Sequence, residues 1–242
     1  MIRAVSGAEL PPQRDTECSI RIHGLFKAYN TAEFLHFYSD GEGTSLSLLD
    51  GVAVLDAPAA LSAEWLAFVS MHPEIRILRT DGATGEQIAA QGIGRLRTGK
   101  LMCFTGGMPA ENPTSVPCRL PELYPLLQSG FSELPPFDSW YVDVSHRVRH
   151  GCCHMGVVMR DAVPVSAAIT VAETDTAAVI GPVVTDPAFR RRGLAFACLK
   201  TLLAQLADQP SIWIAPIDEY AAQLYARLGF TSRGKWAELT FD

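Results

Sequence analysis

No apolar run in the 242-residue sequence reaches the ~18 residues that a membrane-spanning helix needs, so no membrane partner is expected. Lysine and arginine never cluster densely enough to follow a phosphate backbone. With a formal net charge of -6, nucleic acid is not an expected partner either. The six cysteines, Cys18, Cys103, Cys118, Cys152, Cys153 and Cys198, are irregularly spaced and contain no Cys-x-x-Cys pair. They read as reduced core thiols of a cytoplasmic protein. Met1 to Pro12 has one basic residue and no apolar core, so no signal peptide is expected. Charged residues make up only 19% of the chain. The 48% that are hydrophobic supply an ample core and exclude a disordered chain. The length fits one large domain or two of about 100–120 residues.

The first half alternates strand-like and helix-like segments. Phe34 to Tyr38 is a short apolar run. Leu46 to Leu55 reads as two strands joined at Asp50-Gly51, a dipeptide that tolerates positive φ and favours a hairpin. Ser62 can cap a helix to Met71, and Pro73 stops it. Ile75 to Leu78 is strand-like. Thr84 and Gln87 are placed as a capping box for a short helix, and Leu101 to Phe104 is another strand. A stretch holding Gly106, Gly107, Pro109, Asn112, Pro113, Pro117 and Pro121 reads as a linker. Domains of 1–107 and 118–242 are therefore expected.

The second half has a short helix from Leu123 to Ser129 and then a loop that carries Asp143 and His146. Three strands follow: Cys152 to Met159, Val165 to Val171 and Ala177 to Thr185. The short breaks between them imply antiparallel hairpins. A long helix from about Gly193 to Ala207 has one apolar face, including Cys198, Leu199, Leu202 and Leu203. Then come a strand at Ser211 to Ala215, a helix at Glu219 to Leu228 ended by Gly229, and a strand at Trp236 to Phe241. The pattern is that of a mixed α/β layer fold.

The chemistry lies where the third strand enters the long helix, over Val183-Val184-Thr185-Asp186-Pro187-Ala188-Phe189-Arg190-Arg191-Arg192-Gly193-Leu194-Ala195. A helix start leaves about four backbone N–H groups without intrahelical partners, and these favour an anion. Gly193 and Ala195 leave room for close approach, and Arg190, Arg191 and Arg192 add positive charge. These properties describe a site for a phosphorylated cofactor.

This segment resembles the cofactor motif of the GNAT acyltransferase superfamily, Arg/Gln-x-x-Gly-x-Gly/Ala, with Arg190, Gly193 and Ala195 on the motif positions. Downstream, Asp218 to Phe230 resembles the family's second signature, Asn-x-x-Ala-x-x-Leu-Tyr-x-x-x-Gly-Phe, with Asp218 where Asn is usual. The opening Val-Thr-x-Pro looks most like the FR47-type branch, often found beside a second, degenerate GNAT domain. The resemblance covers about residues 120–242. It implies a mostly antiparallel mixed sheet flanked by helices, and acetyl-CoA as co-substrate with no metal. It places the pyrophosphate on the N–H groups of Arg191 to Ala195, Leu194 included. The pantetheine would lie along Val183, Val184 and Thr185, with a backbone N–H near Val184 as oxyanion donor. A small-molecule or peptide amine would attack directly, and Tyr225 would protonate the leaving thiolate. The general base is open: Glu173, Asp175, Asp143 and His146 can each work through water, and Glu173 is the named candidate. The sequence is compatible with a homodimer.

In the first half, Asp56-Ala57-Pro58-Ala59-Ala60 occupies the matching place before a helix but has no glycine and no cation. A degenerate, non-binding GNAT-like domain is expected there, or more plainly an unrelated small α/β domain. Gly94 to Leu101 resembles a P-loop superficially, but Leu101 replaces the required Ser/Thr and a strand pattern follows. Cys152, Cys153 and His154 are set aside as a zinc site because alternation along a strand would separate them. A binding protein for acyl-CoA without turnover is the competing reading to an enzyme.

Overall fold

The computed structural model describes residues 1–30, 32–106, 118–131 and 134–241. The chain forms two compact units: Met1–Met102 with Ala215–Ala222 and Thr231–Asp242, and Cys103–Ile214 with Gln223–Phe230. In chain order the elements begin with β1 (Arg3–Val5), α1 (Glu17–Tyr29), β2 (Leu35–Ser39), β3 (Ser45–Leu49), β4 (Val52–Asp56), α2 (Ala63–Met71), β5 (Ile77–Asp81), α3 (Gly82–Ala89) and β6 (Arg95–Phe104). They continue with α4 (Leu120–Gly130), α5 (Phe137–Arg149), β7 (Met155–Arg160), β8 (Val163–Glu173), β9 (Ala177–Thr185), α6 (Leu194–Gln205), β10 (Ser211–Ile214), α7 (Glu219–Arg227) and β11 (Thr231–Thr240). The architecture is mixed α/β, with mostly antiparallel strands flanked by helices.

In the first unit the strands run in the order β1-β2-β3-β4-β5-β11-β6. The β3–β4 hairpin turns at Asp50 (φ 47°) and Gly51 (φ 78°), the two positive-φ residues that a tight hairpin requires. Ser62 caps α2 by accepting from the Trp65 N–H at 3.3 Å. The α3 cap differs from the expected capping box. Asp81 accepts from the N–H groups of Ala83 and Thr84, and Gln87 instead exchanges two bonds with the backbone of Leu61. A core of Leu46, Leu48, Leu55, Trp65, Leu78 and Leu239 lies under α2 and α3. Each such side chain stabilises the fold by about 1.5–3 kcal/mol when fully buried. Leu239 belongs to β11, the last strand of the chain, which pairs antiparallel with β5 from Trp236↔Asp81 to Thr240↔Ile77. Residues 95–100 of the P-loop-like stretch lie inside β6.

In the second unit the strands run β10-β9-β8-β7. Helices α4 and α5 cover one face through Leu123, Leu127, Trp140 and Val144, which pack with Ala167, Ile169 and Val184. Helix α6 is packed against β7 and β8. There the backbone of Gly156 is so close that a Cβ would lie 2.0 Å from the Cys198 carbonyl oxygen.

The units repeat one plan. β2-β3-β4-α2-β5-α3 and β7-β8-β9-α6-β10-α7 have the same succession, with two antiparallel pairings followed by one parallel pairing.

Three local expectations are corrected. Residues 137–149, read as loop, are helix α5, with Asp143 and His146 on it. The strand expected at Cys152 begins at Met155 instead. Gly151 (φ 65°) and a bond from the Cys152 N–H to the Arg147 carbonyl (2.8 Å) tie that segment to the end of α5. Pro121, read as linker, stands in the first turn of α4, where its missing N–H breaks no intrahelical bond. The rest of that linker, 107–117, lies outside the described residues.

Candidate functional site: the junction of β9 and α6

β9 is paired on both sides only along its first half. Its parallel ladder with β10 ends at Ile180↔Ile214, while β9 itself continues to Thr185. Gly181 to Thr185 therefore extend past β10 with one edge toward the gap. The ladder with β8 is irregular between Thr170 and Ala168 and regains register at Ala168↔Val183. The Asp186 N–H donates to the Val165 carbonyl at 2.9 Å, and Val184 stands opposite Ala167 two residues back. Bond alternation in an antiparallel ladder then directs the N–H and C=O of Val184 toward β8. The Ser166 hydroxyl also donates to the Val184 carbonyl, at 2.9 Å. The backbone groups of Val183 and Thr185 face the other edge.

After β9 the chain makes a short 3-10 turn at Pro187–Phe189, begun by Asp186, whose carboxylate accepts from the Ala188 N–H at 2.8 Å. Arg191 and Gly193 then take positive φ, 63° and 76°. This pair of left-handed residues reverses the chain into α6. Gly193 is its N-cap, and the first intrahelical bond runs from the Ala197 N–H to the Gly193 carbonyl. The N–H groups of Leu194, Ala195 and Phe196 precede that bond and point out of the helix start. A Cβ built on Gly193 meets no atom within 4 Å, so the space before it is open. Three cations frame it. Arg190 donates its Nε–H to the Thr185 carbonyl at 3.1 Å, and Arg192 reaches the Ala188 carbonyl and lies over the Phe189 ring. Arg191 lies exposed between them. Free N–H groups, three arginines and open space at the mouth of a half-open strand form the kind of arrangement that favours an anion, here called the cradle.

Helix α7 lies beside this cradle. Arg227 sits over the ring of Phe196, in the first turn of α6, at 5.6 Å from its centroid. Two residues earlier, Tyr225 is 5% exposed, with its ring 6.0 Å from that of Phe230. Asp218, the departure from the usual Asn, caps α7 by accepting from the Ala221 N–H at 2.7 Å.

These elements can be set beside known proteins. Residues 120–230 match the acetyltransferase (GNAT) family. They form a GNAT domain. The whole chain also has structural likenesses at low identity, which speak for the fold. A GCN5-related N-acetyltransferase from Sphaerobacter thermophilus aligns with TM-score 0.64 and 14% identity, over 98% of this chain and 94% of that one. One from Kribbella flavida gives 0.61 and 17%, over 93% of each chain. A tandem GNAT protein from the clavulanic acid biosynthesis pathway gives 0.57 and 16%, over 99% of this chain and 97% of that one. No curated protein matches the sequence.

Within the GNAT domain, the candidate base Glu173 is committed to internal contacts. It is 2% exposed. It accepts from the His154 backbone N–H (2.8 Å), from the His154 ring at Nδ1 (2.8 Å) and from the Thr170 hydroxyl. Burial pushes its pKa up, but these hydrogen bonds and the charge of His154 outweigh burial and hold it below the ordinary carboxylate value. It also pairs with Ala178, at the opposite end of β9 from the cradle. Asp143 pairs with Arg147, which donates onward to the Thr170 carbonyl. The sequence reading missed this network because it took α5 for loop. Trp140, Val144 and Arg147, all buried, are the 3.6-period signal that marks the helix. Burial raises the thiol pKa of Cys153 and Cys198 to about 11, so both stay protonated near neutrality. No described helix is long and apolar enough to cross a membrane.

Proposed function

We propose that the chain is an N-acetyltransferase that moves an acetyl group from acetyl-CoA to an amine of a small molecule or peptide by direct attack. The observation that carries this reading is the left-handed Gly193 cap, with open space before it, set at the end of a strand whose outer edge has lost its partner. Leu194 and Ala195, with Arg190, Arg191 and Arg192, would hold the diphosphate. Val183 and Thr185 would pair with the pantetheine amides. Acetyl-CoA, when bound, supplies the thioester. The Val183 N–H, turned to that edge, takes the oxyanion role in place of Val184, whose backbone serves β8. The Tyr225 phenol donates its proton to the departing thiolate.

The first unit reads as a degenerate GNAT-like domain. Ser45↔Asp56 closes its β3–β4 ladder as Ser166↔Thr185 closes the β8–β9 ladder, so Asp56 stands where the second unit has Thr185. Asp56 is buried, and its carboxylate accepts from Arg14 at 2.9 and 2.6 Å and from the Thr16 hydroxyl at 2.8 Å. A carboxylate already satisfied by the chain's own arginine fills the place of a phosphate cradle.

The engagement of Glu173 favours a second reading, an acyl-CoA-binding sensor without turnover. Calorimetry with CoA and a thiol-release assay over an amine panel separate the two. The enzyme reading expects one CoA bound per chain and amine-dependent thiol release. Binding without release selects the sensor, and no binding removes both.

A further inference from the structure

One face of the first unit's sheet carries a charge cluster that the acyl-transfer reading does not use. Glu238 on β11 pairs across the sheet with Arg79 on β5. Its carboxylate lies 3.2 Å from the Arg79 guanidinium and 3.6 Å from that of Arg97 on β6. Strand alternation puts all three on the side away from Leu239 and Leu78, the side on which α1 lies over Val54. Helix α1 adds Arg21, which is ion-paired with the buried Glu17. Arg21 is also the strongest influence on Arg79: its nearby positive charge pushes the Arg79 pKa below the ordinary guanidinium value, against Glu238 and Glu17. Arg79 and Arg97 thus share the one carboxylate of Glu238, while Arg21 is balanced by Glu17, and Asp81, on the same face, is committed to the start of α3. Trp236, two residues from Glu238 and on the same face, has a buried indole N–H with no acceptor among the described residues.

Like charges crowded beyond their counterions, beside an unused donor, are a recognition pattern for an oxyanion. We propose that this face is a binding site for a small molecule bearing a carboxylate or phosphate group, gripped by Arg79 and Arg97. Both side chains are substantially exposed, at 44% and 66%, so a ligand can reach them. Glu238 is the internal competitor: it occupies the two cations, and an arriving anion must share or displace it. That competition gives the proposal a sign that a purely structural ion pair lacks.

The test is titration of the full chain with sodium phosphate and with sodium succinate at constant ionic strength, with chloride as control and tryptophan fluorescence as readout. Saturable binding of either anion is expected, and the better of the two identifies the group. Arg79→Gln and Arg97→Gln should each raise Kd by about tenfold or more, the usual effect of losing a hydrogen bond to a charged partner. Glu238→Gln should lower Kd, and Trp236→Phe should remove most of the fluorescence change. Thermal melts establish that each variant is folded. The proposal is overturned if neither anion saturates, if binding is unchanged in both arginine variants, or if Glu238→Gln weakens binding in a folded protein. Because no arm contains CoA, failure here leaves the acetyltransferase reading standing.

Discussion

Replacing Gly193 by alanine separates what the left-handed cap does for the fold from what it does for a ligand. Gly193 sits at φ 76°, ψ 7°, where an L-residue with a Cβ is less stable by about 1–2 kcal/mol. Nothing else opposes the new methyl, because no atom lies within 4 Å of it. The whole stability effect is therefore backbone strain. For a chain of this size, about 1–2 kcal/mol lowers Tm by roughly 2–8 °C. The same methyl points into the space where the diphosphate would lie against the N–H groups of α6, so the effect on binding should be far larger. Wild type at 100 times its Kd for CoA gains about 2.7 kcal/mol from mass action, and a corresponding rise in Tm. Gly193→Ala should show its modest loss of Tm without ligand and little or no rise with CoA. Gly193→Asn tolerates the left-handed angle better, so it should recover the ligand-free Tm but not the response. The assay is differential scanning fluorimetry with and without CoA, with calorimetry for Kd. A Gly193→Ala protein that binds CoA as wild type does would refute the placement of the diphosphate at this helix start.

Tyr225→Phe should lower kcat in the thiol-release assay with little change in the Kd for CoA; unchanged kcat would take Tyr225 out of the mechanism. Gly156→Ala should destabilise the second unit by about 1–3 kcal/mol or more, since its Cβ would meet a backbone carbonyl that cannot rotate away; a denaturation midpoint equal to wild type would contradict the close packing of β7 on α6. Glu173 should make stability acid-sensitive. Its folded pKa lies below its ordinary value, so its contribution is fully present above the unfolded pKa and is lost as pH falls through the folded one. Glu173→Gln should be less stable than wild type near neutrality by about 1–3 kcal/mol, with the gap closing below about pH 4.5; urea midpoints that differ by the same amount at pH 7 and pH 3 would show that the carboxylate charge is not the cause.

The strand–turn–helix junction at β9 and α6 was legible in the sequence because its signals are local. A strand end, Pro187, a run of arginines, Gly193 and an amphipathic helix follow one another within twenty residues, and the structure places Gly193 in the left-handed region as such a turn demands. The parts hidden from the sequence depend on partners far along the chain. That β11 pairs with β5 rests on a register between residues more than 150 positions apart, and its alternating pattern does not name the neighbour. Which edge Val184 presents depends on where the β8 ladder regains register after its irregularity near Thr170. The pairing of Glu173 with His154 joins the end of one strand to the residue before another. Helix α1 is a different case. Thr16 caps it, and Cys18, Ile22, Leu25 and Tyr29 recur at helical spacing, so its signal is local and present in the sequence.

The two units differ at one matching junction in ways that bear directly on anion binding. Both run two antiparallel pairings into a parallel one and leave the middle strand for a helix at the same point. In the second unit that point carries Thr185, then a turn with positive φ at Arg191 and Gly193 and an uncapped helix start. In the first it carries Asp56, and Ser62 spends its hydroxyl on the helix N–H of Trp65. A side-chain cap satisfies a donor that an anion would otherwise take, and a carboxylate at the strand end repels the same anion. Each change alone weakens an anion site. Together with Arg14, whose guanidinium is held on Asp56, they leave the junction of β4 and α2 without the groups that would hold a diphosphate there. Removing the cap and the carboxylate together, as Asp56→Thr with Ser62→Gly, would still not create a cradle, because residues 57–61 contain no cation and no glycine to make the left-handed turn. CoA stoichiometry in that double variant should stay at one per chain, and a second equivalent bound would show that the strand end, not the turn, decides the site.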